Sequence, residues 1–208
     1  FFAWEPAVEP APGKALLDLR RLNEKVAGSE GRVRAAGAGF RLGDGRPVRF
    51  WAVNAGPAIW RLDDAGHRRL ARVLARRGVN MVRLHGPLYD ASSGAFDGKR
   101  LERLHHLVAA LKGEGIYSAL SFWFPAWFRF SAWHREKGKW TFMLLFYHPG
   151  MQKLYFDWAR AILKPENPHT GLSLAADPAL AILEIQNEDS HFFHTFRESS
   201  VPPARWQE

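Results

Sequence analysis

The sequence predicts an α/β fold, a parallel sheet flanked by helices, and three observations carry that reading. Short apolar runs of strand length alternate with stretches of helical periodicity along most of the chain. Glycines punctuate the turns between them, at Gly78 and at Gly113 to Gly115, each followed by an apolar run. The last run, Leu180-Ala181-Ile182-Leu183, breaks off into Glu184-Ile185-Gln186-Asn187-Glu188. A buried strand that delivers polar groups to its C-terminal tip reads this way.

Each element has its own local reason. Residues 1–30 are rich in Pro and Ala, with Glu5-Pro6 and Glu9-Pro10-Ala11-Pro12, and predict a lead-in that hugs the surface. Phe40-Arg41-Leu42, Gly43-Asp44-Gly45 and Val48-Arg49-Phe50-Trp51 predict a hairpin, because Asp-Gly supplies the positive φ angles of a tight turn. Its second arm runs into Ala52-Val53-Asn54, so the first strand of the main sheet spans 49–54. This divides the chain into a lead-in and hairpin, 1–45, and an α/β domain, 46–208.

Asp63-Asp64 caps a helix that runs to about Arg77, with Leu70, Val73 and Leu74 as its apolar stripe and Gly78 as its stop. Val79 to His85 is the second strand. The next helix starts near Asp97, spaces Leu101, Leu104, Leu107, Val108 and Leu111 on one face, and ends at Gly113 to Gly115. The third strand is 116–122. Pro149 opens a helix with Met151, Leu154, Tyr155, Trp158 and Ile162 on its buried face. The fourth strand covers 180–187.

Composition bounds the function. The 208 residues are 47% hydrophobic, enough for a substantial core, and no apolar stretch reaches the roughly 18 residues of a membrane span, so no membrane partner is expected. With no cysteine there are no disulfides and no thiolate metal sites. The net charge of +8 raises the question of nucleic acid, but Arg68, Arg69, Arg72, Arg76 and Arg77 ride on a helix with its own apolar stripe. They form its solvated face, and no nucleic-acid partner is expected.

Strand alternation places Ala181, Leu183 and Ile185 on one face and Glu184, Gln186 and Glu188 on the other. Three polar groups on one face of a buried strand are costly unless they pair or work. The pattern Glu-x-x-Asn-Glu at 184–188 resembles the fourth strand of clan A glycoside hydrolases, and of glycoside hydrolase family 5 in particular, the cellulase and mannanase family. Two further stretches are similar to that family: "RFWAVN" at 49–54, like its entry strand, and "GVNMVRLH" at 78–85, like its second strand.

The resemblance implies a (β/α)8 TIM barrel, of which about the first four β/α units are present behind an N-terminal hairpin. It makes Glu188 the general acid/base and has Asn187 bind the sugar hydroxyl next to the anomeric carbon. Arg83 inherits the role of holding the nucleophile ionised, which suits a planar guanidinium fork. His85, one alternation step on, is expected to contact substrate, and Asn54 is expected at the same mouth. Strand three departs from the family: Ala119-Leu120-Ser121-Phe122-Trp123 stands where many members carry a histidine.

An aromatic loop follows: Trp123, Phe124, Trp127, Phe128, Phe130, Trp133, Trp140, Phe142, Phe146 and Tyr147. Most of these are expected to pack the loop's own core, with Trp123 at the strand tip serving as a platform for a sugar ring. His191-x-x-His194 lacks the His-Glu-x-x-His spacing of a zinc helix, and His105-His106 lies on a helix. Surface or packing roles are expected for both pairs, with no metal and no cofactor.

The implied reaction is retaining hydrolysis of a β-linked oligo- or polysaccharide, which needs two carboxylates about 5–5.5 Å apart. In the family the second one ends strand seven. A whole barrel takes about 250 residues, so the sequence is expected to be the N-terminal half, inactive alone and partnered by the missing C-terminal half. A secreted or periplasmic location is expected, with the true N-terminus and any signal peptide upstream of Phe1, which stands where a Met would begin the chain. The competing reading is a non-catalytic carbohydrate-binding or scaffold half-barrel, since a fold by itself does not establish an activity.

Overall fold

The structure, a computed structural model, describes residues 18–91, 93–123 and 144–190. Three short strands come first: β1 (Arg34–Ala36), β2 (Gly39–Arg41) and β3 (Pro47–Val48). They form an antiparallel sheet in that order, with Phe40 opposite both Ala35 and Val48. The β2–β3 hairpin is the one its Asp44-Gly45 turn predicts, and Gly45 takes a φ of 89° there. β1 has no counterpart in the sequence reading. Its turn is made by Gly37, at a φ of 59°, in a stretch too small and apolar-poor to announce a strand.

The main sheet holds β4 (Ala52–Ala55), β5 (Met81–His85), β6 (Tyr117–Ser121) and, last in the chain, a strand at Leu180–Glu184. All three pairings are parallel, and the four strands lie side by side in chain order. Helices make the crossovers: α1 (Asp64–Arg76), α2 (Gly98–Gly113), the short α3 (Leu144–Tyr147) and α4 (Pro149–Leu163). A two-stranded ribbon, β7 (Glu166–Asn167) and β8 (Leu172–Ser173), precedes the final strand, β9. Among the described residues the result is a run of four parallel strands joined by three helical crossovers, as the alternation of elements predicts.

The caps follow the sequence. Asp63 accepts a hydrogen bond from the Gly66 amide at 2.7 Å, and Asp97 accepts from the amides of Lys99 and Arg100 at 3.1 Å. Each satisfies donors that a helix start leaves without partners. Gly78 and Gly115, at φ 76° and 71°, end α1 and α2.

The two faces of the sheet are packed differently. Val82, Leu84, Leu120 and Phe122 pack against the helices, meeting Ala71 and Ala75 of α1, Leu104, Leu107 and Leu111 of α2, and Met151, Trp158 and Ile162 of α4. In α1 the most buried positions are His67, Ala71 and Ala75, while the expected stripe residues Leu70, Val73 and Leu74 are only half-buried. Small alanines let α1 approach the layer beneath it closely.

The other face is closed at its N-terminal end. Met81, Tyr117 and Ala119 pack there on Ala27 and Leu42, with Val33, Val48 and Phe50 around them. The hairpin is therefore a plug under the strands rather than a surface arm. Arg20 fixes its approach, reaching Glu114 at 2.9 Å and the carbonyls of Glu24 and Lys25 at 2.8 and 2.7 Å. Tyr117 donates its hydroxyl hydrogen bond to Glu24 and accepts one from the Gly28 amide at 3.1 Å.

Two expectations for the last strand need correction. The run 180–187 was expected as one regular strand, but β9 stops at Glu184. A register shift at its start pairs Ser118 with Leu180 and Ala119 with Ile182, which turns Ala181 toward the inner cluster. Beyond Glu184 the alternation that would align Gln186 and Glu188 is lost. The strand is also less buried than an aliphatic run suggests. Ile182, Leu183 and Ile185 are 36%, 39% and 66% exposed, because β9 is an outermost strand of the sheet.

Candidate functional site

The polar layer of the site follows from register. Asn54, Arg83 and Ala119 are opposite one another on β4, β5 and β6, and one step further His85, Ser121 and Glu184 align on β5, β6 and β9. Parallel strands in register put all of these on one face of the sheet. Ala119 leaves room beside Arg83, and the guanidinium uses it to span the sheet.

Arg83 is the hub. Its Nη2 donates to Glu184 Oε2 at 2.6 Å and to Asn187 Oδ1 at 2.6 Å, and its Nε donates to the same Glu184 oxygen at 3.1 Å. Its Nη1 donates to Asn54 Oδ1 at 2.9 Å, and Nη2 also reaches Ser121 Oγ at 3.3 Å. The ion pair is partly wet, with the side chains of Arg83 and Glu184 29% and 33% exposed. Charge-assisted bonds of this kind hold a fork in one orientation.

His85 lies 2.9 Å from Ser121 through Nδ1. Burial, with the Arg83 charge next, lowers its pKa below 6.5, so the ring is neutral near pH 7. Asn187 is held from both ends, its amide donating to the Trp123 carbonyl at 3.2 Å and its side chain accepting from Arg83. Glu188 follows it, exposed, with a positive φ of 50°, the one described non-glycine residue in the left-handed region. That conformation is uncommon for a glutamate and clusters at sites where a side chain must be aimed. Gln186 turns aside and donates to Asp189 at 2.6 Å.

Of the six expected site residues, Arg83, Asn54 and Asn187 meet directly, and His85 joins them through Ser121. Trp123 requires correction. It is fully buried against Tyr89, Tyr155 and Trp158, with ring centroids 5.5–6.2 Å away, and offers no open face to a sugar. β6 ends at Ser121, so the side chain two residues later follows the helix layer rather than the strand alternation. Ser121, which ties Arg83 to His85, was not singled out from the sequence. Its alternation step with Ala119 at a strand tip is the signal that finds it. The remaining loop aromatics from Phe124 to Phe142, and His191 and His194, lie outside the described residues.

The geometry can be compared with that of known proteins. The chain superposes on an endo-1,4-beta-mannanase from Rhizomucor miehei with a TM-score of 0.61 and 20% identity, over 76% of this chain and 48% of that one. The fold is like that of solved glycoside hydrolase family 5 enzymes. A glycoside hydrolase family 5 mannosidase from the same organism matches with a TM-score of 0.55 and 16% identity, over 79% of this chain and 50% of that one. The chain thus spans about half the length of the solved structures it matches. No protein-family model and no curated protein matches the sequence.

Proposed function

We propose that this chain carries the acid/base half of a retaining glycosidase acting on a β-linked oligo- or polysaccharide, with β-mannan the first substrate to test. The observation that carries the proposal is the Arg83–Asn187 hydrogen bond at 2.6 Å. It joins the arginine of strand two to the amide that immediately precedes Glu188, at the C-terminal tips where barrel enzymes build their sites. The mannanase and mannosidase among the structural neighbours support the choice of substrate.

In this reading Glu188 protonates the leaving oxygen and then deprotonates the attacking water. Asn187 binds the hydroxyl beside the anomeric carbon, held in place by its two hydrogen bonds. Asn54 and His85 contact neighbouring hydroxyls, with neutral His85 able to donate or accept. The nucleophile is a carboxylate of the C-terminal half of the barrel, ending strand seven. Glu184 holds the place on Arg83 that this carboxylate would share. A secreted or periplasmic location goes with such a substrate.

The competing reading, a binding or scaffold half-barrel, draws on the same ion pair, since Glu184 already satisfies Arg83. The two readings separate on hydrolysis of β-mannan by the chain extended to a whole barrel, set against the 208-residue chain. The proposal expects activity only in the extended form. Mannan binding by the extended form without hydrolysis would favour the scaffold reading.

A further inference from the structure

On the helix side of the sheet, between α1 and α2, three ligand-type atoms converge. Nδ1 of His67 is 3.2 Å from Nδ1 of His106, which is 3.6 Å from Oδ1 of Asp64, and all three atoms lie within 4.8 Å of one another. A tetrahedral zinc site with bonds of 2.0–2.1 Å sets its ligand atoms about 3.3 Å apart. We propose that Asp64, His67 and His106 form a binding site for a divalent transition-metal ion of the zinc type, separate from the sugar-binding face.

The hydrogen bonds around the cluster fix the orientation of its two imidazoles. An arginine only donates and a carbonyl only accepts, so one arrangement satisfies every contact. Arg68 donates to His106 Nε2 at 3.1 Å, His106 Nδ1–H donates to His67 Nδ1, and His67 Nε2–H donates to the Ile59 carbonyl at 3.1 Å. His67 is thereby held by a backbone carbonyl with its Nδ1 lone pair turned into the gap. Metal-ligating histidines are oriented in this way.

Loading the site moves one proton, from Nδ1 to Nε2 of His106, which frees the Nδ1 lone pair for the ion. Nε2–H then faces Arg68, a donor against a donor, and Arg68 must swing away. Arg68 is exposed and free of that constraint on the solvent side. His67 is fully buried and His106 is 8% exposed, so the imidazoles are pre-set, while Asp64 is exposed and supplies the charged ligand. The fourth position opens toward a cleft of about 590 Å³ lined by Asp63, Lys99, Glu102, Arg103 and His169, which a water ligand can enter. The mixed imidazole and carboxylate set suits zinc, cobalt, nickel or copper rather than calcium or magnesium.

The test is titration of the full chain with Co²⁺, read by the visible absorption of four-coordinate cobalt, followed by displacement with Zn²⁺. The expected result is a band in the native protein, with affinity falling roughly tenfold or more in Asp64→Ala and in His106→Gln. Arg68→Ala should bind more tightly, because it removes the competing donor, and that gain is one a packing role does not give. A control variant, His191→Ala with His194→Ala, should keep the band. Absence of the band in the native protein overturns the proposal. So does a band kept in Asp64→Ala and His106→Gln, or one lost in the His191/His194 control; Asp64 is exposed, so its variant folds and the result stands.

Discussion

Replacing Arg83 by Met removes the fork but keeps most of the side chain's apolar stem. The variant loses the ion pair to Glu184 and the hydrogen bonds to Asn54 and Asn187. Breaking one side of a fully buried pair costs about 3–5 kcal/mol, whereas exposed pairs contribute about 0–1 kcal/mol. With roughly a third of each side chain in solvent, the loss should lie between these limits, at about 2 kcal/mol. Urea unfolding of the native, Arg83→Met, Glu184→Met and doubly substituted chains reads it directly. The cycle should give a coupling of about 1–2 kcal/mol between the two positions. A coupling below about 0.3 kcal/mol, within the scatter for independent sites, would refute the hub assigned to Arg83.

Three further outcomes are expected. Lys112→Met leaves Asp177 buried without its 2.8 Å partner, and should cost about 3–5 kcal/mol by thermal or urea unfolding. Gly115→Ala should destabilise by about 2 kcal/mol or more, since a Cβ there meets the Glu24 carbonyl oxygen at 1.9 Å in a residue at φ +71°, as differential scanning fluorimetry will show. Burial is the main cause that lowers the pKa of both His85 and His105 below 6.5. The unfolded chain then binds more protons than the folded one, so stability is full above pH 6.5 and falls as pH drops through 6.5 toward the folded values. Melting temperatures across pH 5 to 8, with proton NMR of the two rings, check the sign.

How much of this was legible follows from which interactions are local. Asp63, Asp97, Gly78 and Gly115 act within a turn of their own positions, so the starts and stops of α1 and α2 are readable from neighbouring residues. The parallel order of β4, β5, β6 and β9 follows from helical crossovers between units adjacent in the chain. Arg83 and Asn187 were readable from the resemblance of their motifs, and register on β4 and β5 sets Asn54 opposite Arg83, whereas the place of Asn187, beyond the end of β9, follows from no register. Trp123 was misjudged because its place is decided by Tyr89, Tyr155 and Trp158, on other elements. Ala181 and the end of β9 depend on a register shift against Ser118 and Ala119, which no strand shows by itself. The His67–His106 contact joins two helices, and neither helix hints at the other.

The central claim is that Glu188 serves as acid/base beside Asn187 and Arg83, and one measurement tests it most directly. In the chain extended to a whole barrel, the rate of Glu188→Gln is compared with that of the native enzyme on β-mannan and on a β-mannoside bearing an activated nitrophenyl leaving group. Protonation matters for the sugar leaving group and little for the activated one, so the account predicts a loss of about 10²–10⁴-fold on mannan and a far smaller loss in bond cleavage of the activated substrate. Native mannanase rates in Glu188→Gln, or equal losses in bond cleavage on both substrates, would contradict it.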